Sequence, residues 1–202
     1  DTNYKKLAIN DGYLPIFFAS NTKKIANKYG IFPIGSLPYT KTYHCNEGYG
    51  LVRYESDRFG LRNNDDKWKN VMNQNNIFII GDSFVDGSCV LDNQTIASNI
   101  QEKLNINTIN LGLASNGPYE YMAVLKTISE PILKEHKKEN NVILFFYFND
   151  IDISRNKESE DLLDQSSPIL FIKNGGDIYP KKYYKEGIEK LIKENFPTSS
   201  DQ

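Results

Sequence analysis

Apolar residues are distributed along this chain in two different rhythms. The run Ile77-Phe78-Ile79-Ile80 is unbroken and leads directly into Gly81-Asp82-Ser83. Such a run suits a strand covered on both faces, as in a parallel sheet held between helices. Two comparable runs follow. Thr108-Ile109-Asn110-Leu111 stops at Gly112, and Val142 to Phe148 stops at Asn149-Asp150. Between them the spacing becomes helical. Gln94 to Leu104 places Ile96, Ile100 and Leu104 on one face, and Pro118 to His136 does the same with Tyr121, Leu125, Ile128 and Ile132. A β-α-β-α-β succession with right-handed crossovers predicts an α/β fold with one parallel sheet. The carboxyl ends of its strands then lie along one edge, and Ser83, Gly112 and Asn149 share that edge.

The flanking stretches follow neither rhythm. Residues 1–70 are punctuated by Pro15, Pro33 and Pro38, with a short helix expected over Thr22 to Tyr29. They are expected to be an N-terminal extension packing on the α/β domain of residues 71–202. Tyr39, Tyr43, Tyr49 and Tyr54 give this extension aromatic surface, which can line a sugar-binding cleft or simply cover the sheet. After Asp150, the charged stretch Asp152 to Gln165 reads as a loop or lid. Ile169 to Ile172 and Ile178-Tyr179, joined through Asn174-Gly175-Gly176-Asp177, read as a β-hairpin. Lys181 to Lys193 reads as an amphipathic helix with Tyr184, Ile188, Leu191 and Ile192 inward.

Ser83 is the first candidate for chemistry. A glycine lets the chain turn sharply at the strand end, and ligands of open α/β sheets bind at that carboxyl edge. If a helical turn begins there, the Ser83 amide can help hold a developing oxyanion. The plain alternative is a helix cap or turn serine. The lipase-type elbow requires glycine two places beyond the serine, where Val85 stands, and no glycine-rich phosphate loop ending in Lys-Ser or Lys-Thr occurs. Asp82, Asp86 and Asp92 lack the spacing of a phosphoaspartate or metal site. Asp82 is expected to order the turn instead, and no cofactor or metal is expected.

These residues resemble the SGNH or GDSL hydrolases. The resemblance rests on Gly81-Asp82-Ser83, on Gly112 after the next strand and on Asn149-Asp150 after the third. The contexts YESDRFGLRN (Tyr54 to Asn63) and LGLASNGPYEY (Leu111 to Tyr121) extend it over roughly residues 50–150. It implies a three-layer α/β/α sandwich with a flavodoxin-like parallel sheet. It also implies a serine esterase in which Ser83 is the nucleophile. The amides of Ser83 and Gly112 and the side-chain amide of Asn149 would form the oxyanion hole, with Asp82 and Asp150 supporting the turns. The implied substrates are small-molecule or glycan esters, acyl and especially acetyl groups on carbohydrate, with an envelope or extracytoplasmic location. An O-acyltransferase would use the same residues. Tyr147 stands where this family usually has glycine.

The general base is the main departure from the family. Its last block supplies an aspartate and a histidine, whereas no histidine follows Asp150. His136 is expected at the opposite edge of the sheet, which leaves His44 as the one candidate base, although a lone histidine without a spacing signal reads first as a surface or packed residue. Two expectations remain: a chain that stops before the last block, or a non-catalytic module that kept the fold and lost the base. The first is preferred. A net charge of -2 and the lack of a basic arm argue against nucleic acid, and no apolar run is long enough to span a bilayer. Cys45 and Cys89 are the only cysteines, and their spacing does not decide between a bridge and two thiols.

Overall fold

The computed structural model describes residues 8, 10–16, 35–46, 50–135, 138–151, 171–174 and 177–180, the last two stretches and positions 119, 131, 149 and 151 by backbone alone. Three strands, β4 (Asn76–Ile80), β5 (Asn107–Asn110) and β6 (Asn140–Leu144), form a parallel sheet in the order β5-β4-β6. Ile77 lies opposite Thr108 on one side and Asn141 on the other. The strand that delivers Ser83 is therefore central. A second small sheet joins β1 (Leu14–Pro15) in parallel to β2 (Lys41–Tyr43), and β2 in antiparallel to β3 (Arg53–Glu55). The expected hairpin is present as β7 (Phe171–Asn174) and β8 (Asp177–Pro180), with Asn174 opposite Asp177.

Alternation along β4 divides the core in two. Phe78 and Ile80 face one way, packing with Ile109, Leu111 and the helical segment that carries Tyr121, Val124, Ile128 and Ile132. Ile77 and Ile79 face the other way, against Val85, Ala97, Ile96 and Ile100. Both faces of the sheet are thus covered by helix, which is why β4 is apolar at four successive positions. The molecule is of mixed α/β class.

Among the described residues, the α-helices are α1 (Ser83–Asp86), α2 (Ile96–Leu104), α3 (Pro118–Val124) and α4 (Glu130–Glu135). The single helix expected from Pro118 to His136 is continuous but not uniform. A π-helical turn over Leu125–Ser129 joins α3 to α4, and the Glu130 amide donates to the Leu125 carbonyl. Pro131 follows at once and has no N–H to continue the ordinary ladder, which accounts for the local unwinding. The bulge rotates the buried stripe, so Val124 is fully buried and Leu125 only partly. Leu104, expected inward, is 56% exposed. Ala97 takes the inward position, and α2 ends on Asn105 in the left-handed conformation.

The third strand is shorter than its apolar run. The Phe145 amide donates to the Ile80 carbonyl, and β4 then leaves the sheet to turn into α1. With no partner beyond that point, residues 145–147 are irregular, and Phe148–Ile151 form a 3-10 turn. The helices expected over Thr22–Tyr29 and Lys181–Lys193, the loop Asp152–Gln165 and His136 lie outside the described residues.

The extension is built into the core rather than laid upon it. Leu37, Phe59, Leu61 and Trp68 belong to the same buried cluster as Phe78. The stretch Tyr54 to Asn63 organises this junction. Asp57 is fully buried, and its carboxylate accepts from the Phe59 and Leu61 amides, Asn63 Nδ2 and Trp68 Nε1, at 2.7–2.9 Å. Gly60 sits at φ +77 with its α-carbon against the Ser36 backbone, where a side chain has neither room nor a favourable conformation. Asn63 latches onto β5 from both ends, donating to the Asn110 carbonyl and accepting from the Asn110 amide at 2.8 Å each.

Candidate functional site

Ser83 is the first residue of α1, at the carboxyl edge of the central strand, and is partly exposed. Asp82 is the helix cap. Its side chain accepts from the Phe84 amide at 2.9 Å, which is the turn-ordering role expected of it. The Ser83 carbonyl accepts from both the Gly87 and Ser88 amides, closing α1 on itself. Among the described residues, neither the hydroxyl nor the amide of Ser83 is engaged by another protein group. Both are therefore available to a ligand at the edge.

The three strand ends converge around α1. From β5, Gly112 approaches so closely that a β-carbon there would stand 2.5 Å from the Asp86 amide nitrogen and 2.7 Å from Val85. The absence of a side chain is what lets α1 settle against this strand. From β6, Tyr147 stacks obliquely on Phe84, the neighbour of Ser83, with ring centroids 4.5 Å apart. Asn149 lies two residues further on, in the 3-10 turn, and its side chain is outside the described part of the structure.

Gly112 differs from its expected role. Its amide donates to Asn110 Oδ1 at 2.9 Å inside the fold, so it is not presented to the edge as an oxyanion donor. The side chain of Asn110 causes this by folding back over its own strand end, and its Nδ2 also holds the Val85 carbonyl at 2.7 Å. Gly112 serves close packing against α1.

Asp150 closes the turn after β6. Its carboxylate accepts from the Tyr147 amide at 2.7 Å, and its own amide returns a bond to the Tyr147 carbonyl. The Tyr121 hydroxyl donates to the Asn116 carbonyl at 3.4 Å. Burial first, and then the negative charges of Asp150, Asp82 and Glu120, hold this phenol well above its usual range. Tyr121 therefore stays protonated and acts as a donor.

His44 lies one turn of chain behind Ser83. Its Nδ1 is 3.3 Å from Asp86 Oδ2 and 3.2 Å from Ser88 Oγ, and the Ser88 hydroxyl lies 3.1 Å from the same carboxylate oxygen. Serine, histidine and aspartate are thus together, but one ring nitrogen meets both partners. A relay needs the serine on one nitrogen and the carboxylate on the other. This cluster is a clamp, and its side chains are closely buried, His44 at 8% and Asp86 at 1% exposure. The Cys45–Cys89 disulfide closes the same clamp covalently. Arg62 adds bonds to the Gly87 and Val90 carbonyls and to Asp92, while its guanidinium lies over the Tyr54 ring at 5.0 Å.

Asp57, Arg62, Asp86 and Ser88 went unnoticed as supports when only the sequence was considered. A signal for two of them was present, since Asp57 and Arg62 fall within the YESDRFGLRN stretch. Ser88 and Asp86 are revealed only by the fold that brings Cys45 alongside Cys89. Among the described residues, no group of three or more His, Cys, Asp or Glu side chains could hold a metal ion, and no helix is long and apolar enough to cross a membrane.

No family model matches this chain, and neither the curated proteins nor the solved structures contain a match to it.

Proposed function

We propose that this chain carries the nucleophile of a serine-dependent ester hydrolase of SGNH type, which removes acyl groups such as acetyl from carbohydrate. The observation that supports this reading best is the setting of Ser83. It opens a helical turn at the carboxyl edge of the central parallel strand, with its hydroxyl and amide unclaimed by the described residues. In the proposed reaction, Ser83 Oγ attacks the ester carbonyl, and its proton passes through a water molecule at the open edge to the oxygen of the departing alcohol. The tetrahedral oxyanion is held by the Ser83 amide and the Asn149 side-chain amide. Collapse expels the alcohol, which takes up a proton, and water then releases the acyl group from Ser83 as a carboxylic acid. Neutral donors aimed at the oxyanion contribute on the order of 10²- to 10³-fold each.

The same chemistry with a sugar hydroxyl in place of water makes an O-acyltransferase. Two observations favour a third reading, a binding module without turnover. The Gly112 amide is spent on Asn110, and His44 Nδ1 is spent on Asp86 and Ser88. A fluorophosphonate probe and a chromogenic acetate ester separate these readings. Covalent labelling and ester turnover that both vanish in Ser83→Ala support the hydrolase. Labelling with acyl transfer to an added glycan but negligible hydrolysis supports the transferase. A Ser83 that is never labelled ends both catalytic readings and leaves the binding module.

A further inference from the structure

Away from Ser83, Gly112 and Asn149, the junction between the extension and α2 forms a half-open cavity of about 530 Å³. That volume falls within the range of small-molecule sites. Its walls come from β3, the stretch after it and the first turn of α2. Tyr39 is 56% exposed, and the hydroxyls of Thr95 and Ser98 at the start of α2 both donate to the Asp92 carbonyl, at 3.1 and 2.6 Å, so the half-buried Ser98 oxygen is left to the cavity as an acceptor.

The charges around the cavity decide which ligands fit. The Arg62 guanidinium is used up on Asp92 and on two backbone carbonyls. The Lys67 ammonium donates to the Thr108 carbonyl at 2.7 Å, and burial pushes its pKa down. Neither cation is left to receive an anion. The carboxylates of Asp92 and Asp65 are paired in turn with Arg62 and Arg58. Glu55 adds an exposed carboxylate with no charge partner among the described residues. The wall therefore combines oxygen acceptors with the half-exposed Tyr39 ring. It is not a phosphate or carboxylate receptor.

We propose that this cavity binds a neutral pyranose, its hydroxyls donating to Glu55 and to Ser98 Oγ, and its C–H face resting on the Tyr39 ring. The ring's negative face attracts the weakly positive C–H groups of the sugar. The site is separate from Ser83 and stands whether or not Ser83 is catalytic.

Saturation-transfer and ¹⁵N-shift titrations with methyl glucoside, methyl galactoside and methyl N-acetylglucosaminide test it, with methyl glucuronide and inorganic phosphate as anionic comparators. Tyr39 sits at φ 49, a left-handed conformation that asparagine adopts readily, so Tyr39→Asn removes the ring without straining the backbone. At least one neutral glycoside is expected to bind wild type and Ser83→Ala equally. It should bind Tyr39→Asn about tenfold more weakly, and Glu55→Gln more weakly as well. No binding by any neutral glycoside, unchanged binding in Tyr39→Asn, or tighter binding of phosphate or glucuronide would each overturn the proposal.

Discussion

The two sides of the sheet edge around Ser83 are built differently. On the β5 side, the chain is fixed by buried polar bonds. Asp57, Asn63, Arg62, the His44 clamp and the Cys45–Cys89 bridge converge on α1 and the loop behind it. On the β6 side, Tyr147 is 55% exposed and Phe148 is 85% exposed, and the turn is held mainly by Asp150. A nucleophile needs a fixed frame, because small displacements are costly in rate. A surface that meets varied acyl or alcohol groups is better left open. On the proposed hydrolase reading, the first side positions Ser83 and the second meets substrate, and that division is open to test.

The largest effect is expected at Asp57. Asp57→Ala leaves four buried donors without acceptors and is expected to lose about 3–5 kcal/mol in urea unfolding. Titration sharpens the point. Burial pushes the Asp57 carboxyl from 3.8 up to about 6, even though the four donors pull it down. Between those values the folded state holds a proton that the unfolded chain has released, so stability falls as pH rises from about 4 to about 6, then levels off. The pH profile of Asp57→Asn should lack that slope. A wild-type profile that instead rises through the window would show that the donors outweigh burial.

Next in size is the disulfide. Cys45 and Cys89 are 44 residues apart in sequence, and closing a loop of that length restricts the unfolded chain. The double variant Cys45→Ser, Cys89→Ser is expected to lose about 2–4 kcal/mol in chemical denaturation. If the clamp positions α1, fluorophosphonate labelling of Ser83 should slow under conditions where the variant is still folded. Undiminished labelling would reduce the bridge to a stabiliser. Gly112→Ala comes third, at about 1–3 kcal/mol by overpacking against Asp86 and Val85. Its effect on labelling should exceed its share of stability, since the clash falls on the helix that Ser83 begins.

The asymmetry also explains what could be read from the sequence. β4 and β5 were legible because strand burial leaves a periodic or unbroken apolar trace, and the hairpin because Asn174-Gly175-Gly176-Asp177 marks its turn. The two faces of β4 follow directly from Phe78 and Ile80 against Ile77 and Ile79. The end of β6 was not legible. Phe146, Tyr147 and Phe148 are as apolar as strand residues, yet their exposure depends on β4 leaving the sheet at Ile80, which is a non-local event. The polar supports were hidden for the same reason. Asn110 takes the Gly112 amide through a side chain whose direction no spacing encodes, and the His44 clamp joins positions more than forty residues apart.

The smallest expected effect is the most discriminating for the open side. Phe148 makes an 85% exposed apolar projection beside the turn that carries Asn149. Surface changes of this kind usually alter stability by no more than about 0.5 kcal/mol. Phe148→Ser is therefore expected to leave the unfolding midpoint and the rate of fluorophosphonate labelling nearly unchanged. If this side meets substrate, the same variant should lose discrimination between short and long acyl chains. One methylene in an apolar contact is worth roughly 1 kcal/mol, so chain-length preference should fall severalfold while acetate turnover is retained. A loss of stability comparable to that of Gly112→Ala would mean that Phe148 is structural, and the division between a fixed side and an open side would fail.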